Sequence, residues 1–222
     1  MYHKNTYNRN PYKRPFDQLL VGKKELVGAE IGVYRGQHAR EMLELLDIKT
    51  LILVDPWKDY KEYNDVKIKK QVEGAYHDAK ELLKEWDEKA MLHWIRNFSV
   101  EASEEVPDNS LDFVYIDGSH QHPFVIEDTK HWVPKVKEGG FVGGHDYIDK
   151  FPGVRKAVDE YCEEHDIAFS VKQGNLFPYY QKSDNADWAF IKGENRVIKN
   201  WNFNSADKTK APSSGGGGFT AL

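Results

Sequence analysis

The feature that most constrains this chain is an alternation of strand-like and helix-like runs. Five short apolar runs, Val27 to Val33, Thr50 to Val54, Met91 to Ile95, Leu111 to Ile116 and Gly140 to Gly144, are separated by segments of helical period. One such segment carries Ala39, Met42, Leu43 and Leu46; the next carries Ile68, Val72, Tyr76, Ala79, Leu83 and Trp86. A third runs from about His122 to Lys137 and meets Gly139 and Gly140, which suit a helix C-terminus. Strands alternating with helices imply right-handed crossovers and a mainly parallel, doubly wound α/β sheet. After the fifth run the pattern changes. A helix is expected over Gly153 to Glu164, then strands at Ile167 to Val171 and Trp188 to Ile191. The Gly/Pro/Ser/Asp-containing connection between these two strands suits an antiparallel pair.

The 222 residues are enough for one well-cored domain and few for two. Residues 1–15 are polar and made basic by Lys4, Arg9, Lys13 and Arg14, and are expected to form a solvated arm. The domain is placed at 16–203, and the Ser/Gly-rich stretch 204–222 reads as a flexible tail. A formal net charge of -5 leaves no broad basic face, so a nucleic-acid partner is disfavoured. No apolar run approaches the ~20 residues that span a bilayer, and the N-terminus lacks a signal-like apolar stretch. No membrane partner and a cytoplasmic location are the resulting expectations. Cys162, the one cysteine, recurs with Val154, Ala157, Val158 and Tyr161 on one helical face, which gives it a packing role. The oligomeric state is left open.

Ligands of an open α/β sheet bind beyond the carboxyl ends of its strands, at the point where strand order reverses. Glu30, Gly32 and Gly36 fall at the first strand end and the turn after it, and Asp55 ends the second strand. Glycines there allow close backbone approach. Tyr34 stands where GxGxxG needs its second glycine, and no GKS or GKT follows, so a pyrophosphate site is disfavoured. Asp55 can accept both hydroxyls of a ribose, or it can be the turn-forming member of Asp55-Pro56.

The segments GAEIGVYRGQHA, LILVDPW, FSVEAS, LDFVYIDGSH, VKEGGFVGGHDY and PGVRKAVDEY resemble, in order and spacing, the class I S-adenosylmethionine (SAM) dependent methyltransferases. Among these they are most similar to the small-molecule O-methyltransferases that include the macrolide-sugar enzymes, over roughly residues 25–192. The resemblance implies a Rossmann-like seven-stranded sheet of order 3-2-1-4-5-7-6 with strand 7 antiparallel. It also implies SAM as cofactor, with Glu30, Gly32 and Gly36 on its methionine side, Asp55 on the ribose, and Asn97 to Ser99 on the adenine side.

Methyl transfer to a hydroxyl needs a group that removes a proton, or a metal that lowers the hydroxyl's pKa. Asp117 and Asp146 end the fourth and fifth strands, adjacent in such a sheet, where both could ligate one divalent ion such as Mg or Mn. In the macrolide-sugar relatives a His three residues after the strand-4 acid is the base, a place that His120 fills. His145 stands where metal-dependent relatives carry the first acid of a pair. It is either a third ligand, better suited to Mn, Fe or Zn than to Mg, or itself the base of a metal-free site. His122 precedes Pro123 at a helix start and reads as placed by the helix. Tyr34, Trp57, Tyr60 and Tyr147 flank the motif ends and are candidates for an acceptor-pocket wall.

The leading expectation is therefore an O-methyltransferase acting on a hydroxylated small molecule, plausibly a sugar or glycosylated compound. A methyltransferase of macromolecules and a catalytically idle SAM-binding or scaffolding module are the alternatives. Specificity is expected in the arm, in Lys58 to Trp86 and in Gly174 to Asp187.

Overall fold

The computed structural model describes residues 14–58, 72–173, 186–199 and 201. Seven strands form one sheet: β1 (Leu26–Ile31), β2 (Ile48–Val54), β3 (Leu92–Ile95), β4 (Leu111–Ile116), β5 (Val136–Gly144), β6 (Ser170–Gln173) and β7 (Ala186–Ile191). Their order is β3-β2-β1-β4-β5-β7-β6, as the resemblance implies. The first five strands pair in parallel, and β7 runs antiparallel to both β5 and β6. Strand order reverses between β1 and β4, where Glu30 pairs with Tyr115 and Ile31 with Ile116. That reversal opens a crevice beyond these strand ends.

The helices are α1 (Pro15–Gln18), α2 (Gln37–Leu45), α3 (Val72–Leu82), α4 (Lys84–Glu88), α5 (Ser99–Ser103), α6 (His122–Trp132) and α7 (Pro152–Glu164). Side-chain alternation along the strands divides the core into two layers. On β4, Val114 and Ile116 join Val125 and Trp132 of α6 and Val154 and Tyr161 of α7 on one side. Phe113 and Tyr115 join Phe16 of α1 and Met42 and Leu43 of α2 on the other. Cys162 is buried in the first layer, as its helical face predicts, and burial pushes its thiol up to about 12.

Several boundaries differ from the sequence reading; β6, expected at Ile167 to Val171, is Ser170–Gln173. The third helix stops at Trp132, because Pro134 has no N–H to continue it; a 3-10 turn (Val133–Lys135) follows and β5 begins at Val136. Gly139 and Gly140 therefore lie inside β5. Pairing jumps from Leu111↔Val136 to Phe113↔Phe141, so the extra residues bulge, and Gly139 takes φ +77°. The arm ends earlier than expected. Pro15 starts α1, and Arg14 is packed into the body with its side chain 15% exposed. Residues 1–13, residues 59–71 with Tyr60, residues 174–185, and the tail 204–222 lie outside the described residues.

Candidate active site

A cavity of about 720 Å³ opens at the reversal point, walled by the ends of β1, β2 and β4, the first turn of α5 and the first half of α6. Gly32, with φ +90°, is part of its wall. A Cβ there would stand 2.2 Å from the backbone oxygen of Asp117, so only glycine lets the β1 turn pass the end of β4. Gly36 has a different role. It starts α2 at φ +78° and packs against Leu83, outside the cavity wall.

Glu30 lines the cavity although it is 1% exposed. Its Oε1 bonds His38 Nδ1 at 2.9 Å, while Oε2 is buried without a hydrogen-bond partner among the described residues. His38 Nε2 lies 3.1 Å from Asp17 Oδ1. Burial lowers the pKa of His38, and burial pushes Asp17 up to about 7 against the pull of Arg14. A neutral imidazole donates at one nitrogen and accepts at the other, so His38 bridges one ionised and one protonated carboxyl. Asp55 accepts the Tyr34 N–H at 2.8 Å and the Trp57 N–H at 2.7 Å. Its turn-forming reading is thus met. Asp55 is also hydrogen-bonded to the Val33 backbone, and it is part of the cavity wall.

On the far side, Phe98 and Ser99 line the cavity, whereas Asn97 does not; its Oδ1 accepts the Phe98 N–H at 2.9 Å. Trp132 Nε1 donates to Ser99 Oγ at 2.8 Å, and Ser99 is hydrogen-bonded to the Asp128 carboxyl. Burial pushes Asp128 up to about 7, with the Ser99 bond opposing.

At the ends of β4 and β5 the titratable groups interlock. His120 lines the cavity, its ring stacked on Phe151 at 4.1 Å and its Nε2 2.9 Å from Asp146 Oδ2. Asp146 has a left-handed backbone (φ 62°), which turns the chain sharply out of β5. His145 points away from the cavity wall, with Nδ1 3.1 Å from Asp146 Oδ1 and 3.6 Å from Asp117 Oδ1. Burial and Arg14 push His145 down, but Asp117 and Asp146 outweigh them and bring it up to about 10. At neutral pH His145 therefore carries its proton and has no lone pair to take another. Burial would raise Asp117, yet Arg14 and His145 hold it below its ordinary range; Asp146 is likewise lowered, by His120 and His145.

Among the described residues, Asp117, His120 and Asp146 have ligand atoms that all lie within 4.8 Å of one another, as a divalent ion would need. Of the set expected from sequence, Asp117, His145 and Asp146, this cluster contains the two acids and has His120 as its imidazole. Arg14 also stands here. Its Nη1 donates to Asp117 Oδ2 at 2.9 Å and to Tyr115 Oη at 2.7 Å, and Tyr115 in turn donates to Asp187 Oδ1 at 3.0 Å. Of the aromatic candidates, Tyr34 lines the cavity; Trp57 is core, and the Tyr147 hydroxyl bonds Asp159. His122 starts α6 and pairs with Glu160, in keeping with a structural role.

Arg14, Asp17, His38, Asp128 and Asp187 were not among the site residues that the sequence reading singled out. Two carried a signal: Asp187 is an acid inside an apolar strand, and Asp128 shares a helical face with Trp132. The methyltransferase domain family matches residues 29–147, more than half of the chain. The chain belongs to that family. It is 27% identical over 164 residues, 71% of this chain and 66% of the other, to an uncharacterized protein of Acanthamoeba polyphaga mimivirus, so the match spans just under two thirds of that relative. Among solved structures, the O-methyltransferase TomG from Streptomyces achromogenes, in complex with SAM, is similar at TM-score 0.59 and 13% identity, with 81% of this chain and 79% of that one covered. An rRNA-methylase-titled protein of Clostridium thermocellum is similar at TM-score 0.56 and 12% identity, with 81% and 93% covered. At such identities these likenesses establish a shared fold alone. No described helix is long and apolar enough to cross a membrane.

Proposed function

We propose that this methyltransferase-family chain moves the methyl group of SAM to a hydroxyl of a small metabolite, with His120 as general base. The observation that carries this reading is the His120–Asp146 pair at the cavity wall: Asp146 engages Nε2, and the opposite ring nitrogen is the one available to a substrate hydroxyl. The cavity also suits the cofactor. Glu30 Oε2 is an orphaned acceptor placed for the ammonium of the methionine part, and the Gly32 turn gives the close backbone approach that part needs. Asp55 is assigned to the ribose and Ser99 to the adenine side, both on the cavity wall. Gly36 and Asn97 support this arrangement from behind.

When bound, SAM supplies a sulfonium methyl group open to in-line displacement. His120 takes the hydroxyl proton as the oxygen attacks, and Asp146, kept ionised, stabilises the imidazolium that forms. Replacing His120 with Ala is expected to lower turnover by about 10² to 10⁴ while S-adenosylhomocysteine (SAH) affinity stays within a few-fold. A panel of hydroxylated sugars and glycosides, assayed for SAH release, tests this; near-normal turnover of His120→Ala would remove the base assignment.

A second reading, favoured by the convergence of Asp117, His120 and Asp146, is metal assistance. A divalent ion held there would act as a Lewis acid on the hydroxyl, and the imidazole ligand suits Mn better than Mg. Arg14, paired with Asp117, would have to yield. Titration with Mn decides: saturable binding lost in Asp117→Asn supports this reading, and no binding removes it.

A further inference from the structure

Every carboxylate oxygen of Asp117 and Asp146 already faces a nitrogen of this chain. Asp117 Oδ2 accepts from Arg14 Nη1 at 2.9 Å, and its Oδ1 faces His145 Nδ1 at 3.6 Å. Asp146 Oδ1 faces the same Nδ1 at 3.1 Å, and its Oδ2 lies 2.9 Å from His120 Nε2. These nitrogens are not equivalent toward an incoming cation. An imidazole can give up its proton, whereas a guanidinium stays charged at any working pH and has no lone pair to offer an ion. Arg14 lines the cavity and is tethered there. Next to it the Pro15 carbonyl accepts from Trp201 Nε1 at 2.5 Å, the Phe16 N–H donates to Asp187 at 2.9 Å, and the Phe16 side chain is fully buried. The Tyr115 hydroxyl, 2.7 Å from Nη1, fixes the guanidinium itself. A cation held this way meets Asp117 at a far higher effective concentration than a free ion reaches.

We propose that Arg14 is the resident cation of this site and bars a divalent ion from Asp117, His120 and Asp146 while α1 is docked. This rests on the reading of those three side chains as a cation site. Arg14 and the ion compete for one carboxylate, that of Asp117, and both are positive, so at the few-ångström spacing of the cluster they also repel each other. The ion enters only as the guanidinium leaves. Proton removal by His120 needs no such ion, so the barred state is the one in which the His120–Asp146 pair acts alone.

The experiment is calorimetric titration of MnCl₂ into the full chain and into folded Arg14→Gln, Arg14→Lys and Arg14→Gln/Asp117→Asn. Gln removes the charge, whereas Lys keeps the charge and loses the guanidinium fork. Arg14→Gln should bind Mn at least about tenfold more tightly than the wild type, Arg14→Lys should stay within about threefold of the wild type, and the double variant should lose the gain. A residue that merely braces α1 would be replaced no better by Lys than by Gln, and the two variants would behave alike. Equal affinity in the wild type and Arg14→Gln, a gain shared by Arg14→Lys, or a gain that survives Asp117→Asn overturns the exclusion and leaves metal assistance standing. No Mn binding in any of the four proteins overturns both. Arg14→Met, uncharged and also unbranched, replaces the Gln variant should that fail to fold. In the wild type itself, Mn that binds while the Phe16 amide keeps its protection from hydrogen exchange refutes the exclusion without any variant.

Discussion

Replacing Asp187 tests how the short helix α1 is fastened over the site. Asp187 is fully buried on β7; its Oδ2 accepts the Phe16 N–H at 2.9 Å and its Oδ1 accepts the Tyr115 hydroxyl at 3.0 Å. Asp187→Ala leaves both donors buried without an acceptor, at about 1–3 kcal/mol each, so roughly 2–6 kcal/mol in total. Burial of the carboxyl opposes this, since it pushes the pKa of Asp187 up and the Ala variant no longer pays that penalty. The net loss should be about 2–4 kcal/mol, which for a domain of this size lowers Tm by roughly 5–15 °C. Asp187→Asn keeps an acceptor for Phe16 but turns its NH₂ group toward the Tyr115 hydroxyl, so about 1–3 kcal/mol of the loss should remain at low pH. The sign of its pH dependence also follows. A carboxyl whose folded pKa is raised binds its proton more tightly when folded, so its contribution is full at low pH and is lost as pH rises through the folded pKa. The Asn variant should thus gain on the wild type as pH rises above about 4. Urea denaturation at several pH values measures both effects. An Ala variant within about 0.5 kcal/mol of the wild type at neutral pH would refute the claim that Asp187 fastens α1.

Two other substitutions probe the same region. Gly32→Ala places a methyl group 2.2 Å from a backbone oxygen at φ +90°, where neither atom can yield; SAH affinity should fall by at least about tenfold, and calorimetry showing unchanged affinity would place the cofactor elsewhere. Asp17 and Asp128, both pushed up to about 7 by burial, should make the fold less stable as pH rises from about 4 through 7, and Asp17→Asn should reduce that fall by up to about 2.5 kcal/mol between denaturation at pH 5 and at pH 8. Asp117 and Asp146, lowered in the fold, act oppositely: their contribution is present above about pH 4 and lost as pH falls further. His145 adds stability that is complete below about 6.5 and lost as pH rises through about 10.

The sheet was legible because its order depends on features that leave a local trace: apolar strand periods, crossover helices, and strand ends marked by Glu30, Asp55, Asp117 and Asp146. The boundary errors came from places where tertiary pairing outweighs local signal. Gly139 and Gly140 look like a helix stop, yet β4 recruits them into a bulge on β5. The site was legible in its residues more than in its partnerships. Asp117, His120, His145 and Asp146 meet as their strand ends predict, but which imidazole faces the cavity is set by side-chain geometry: His145 lies between two carboxylates that hold its proton, and His120 stacks on Phe151 with one nitrogen bound to Asp146.

Arg14 marks the limit of reading one residue at a time. In the sequence it is one of four basic residues in a polar arm, and net charge gives it no address. In the fold three buried bonds fix where it sits: Phe16 N–H to Asp187, His38 to Asp17, and Trp201 Nε1 to the Pro15 carbonyl at 2.5 Å. These come from β7, α2 and the chain beyond β7, elements more than 20 to more than 180 residues apart in sequence from α1. Each alone is a polar contact of modest worth. Together they deliver one guanidinium to Asp117, so the electrostatics of the catalytic end of β4 depend on a four-residue helix whose sequence carries no periodic signal at all.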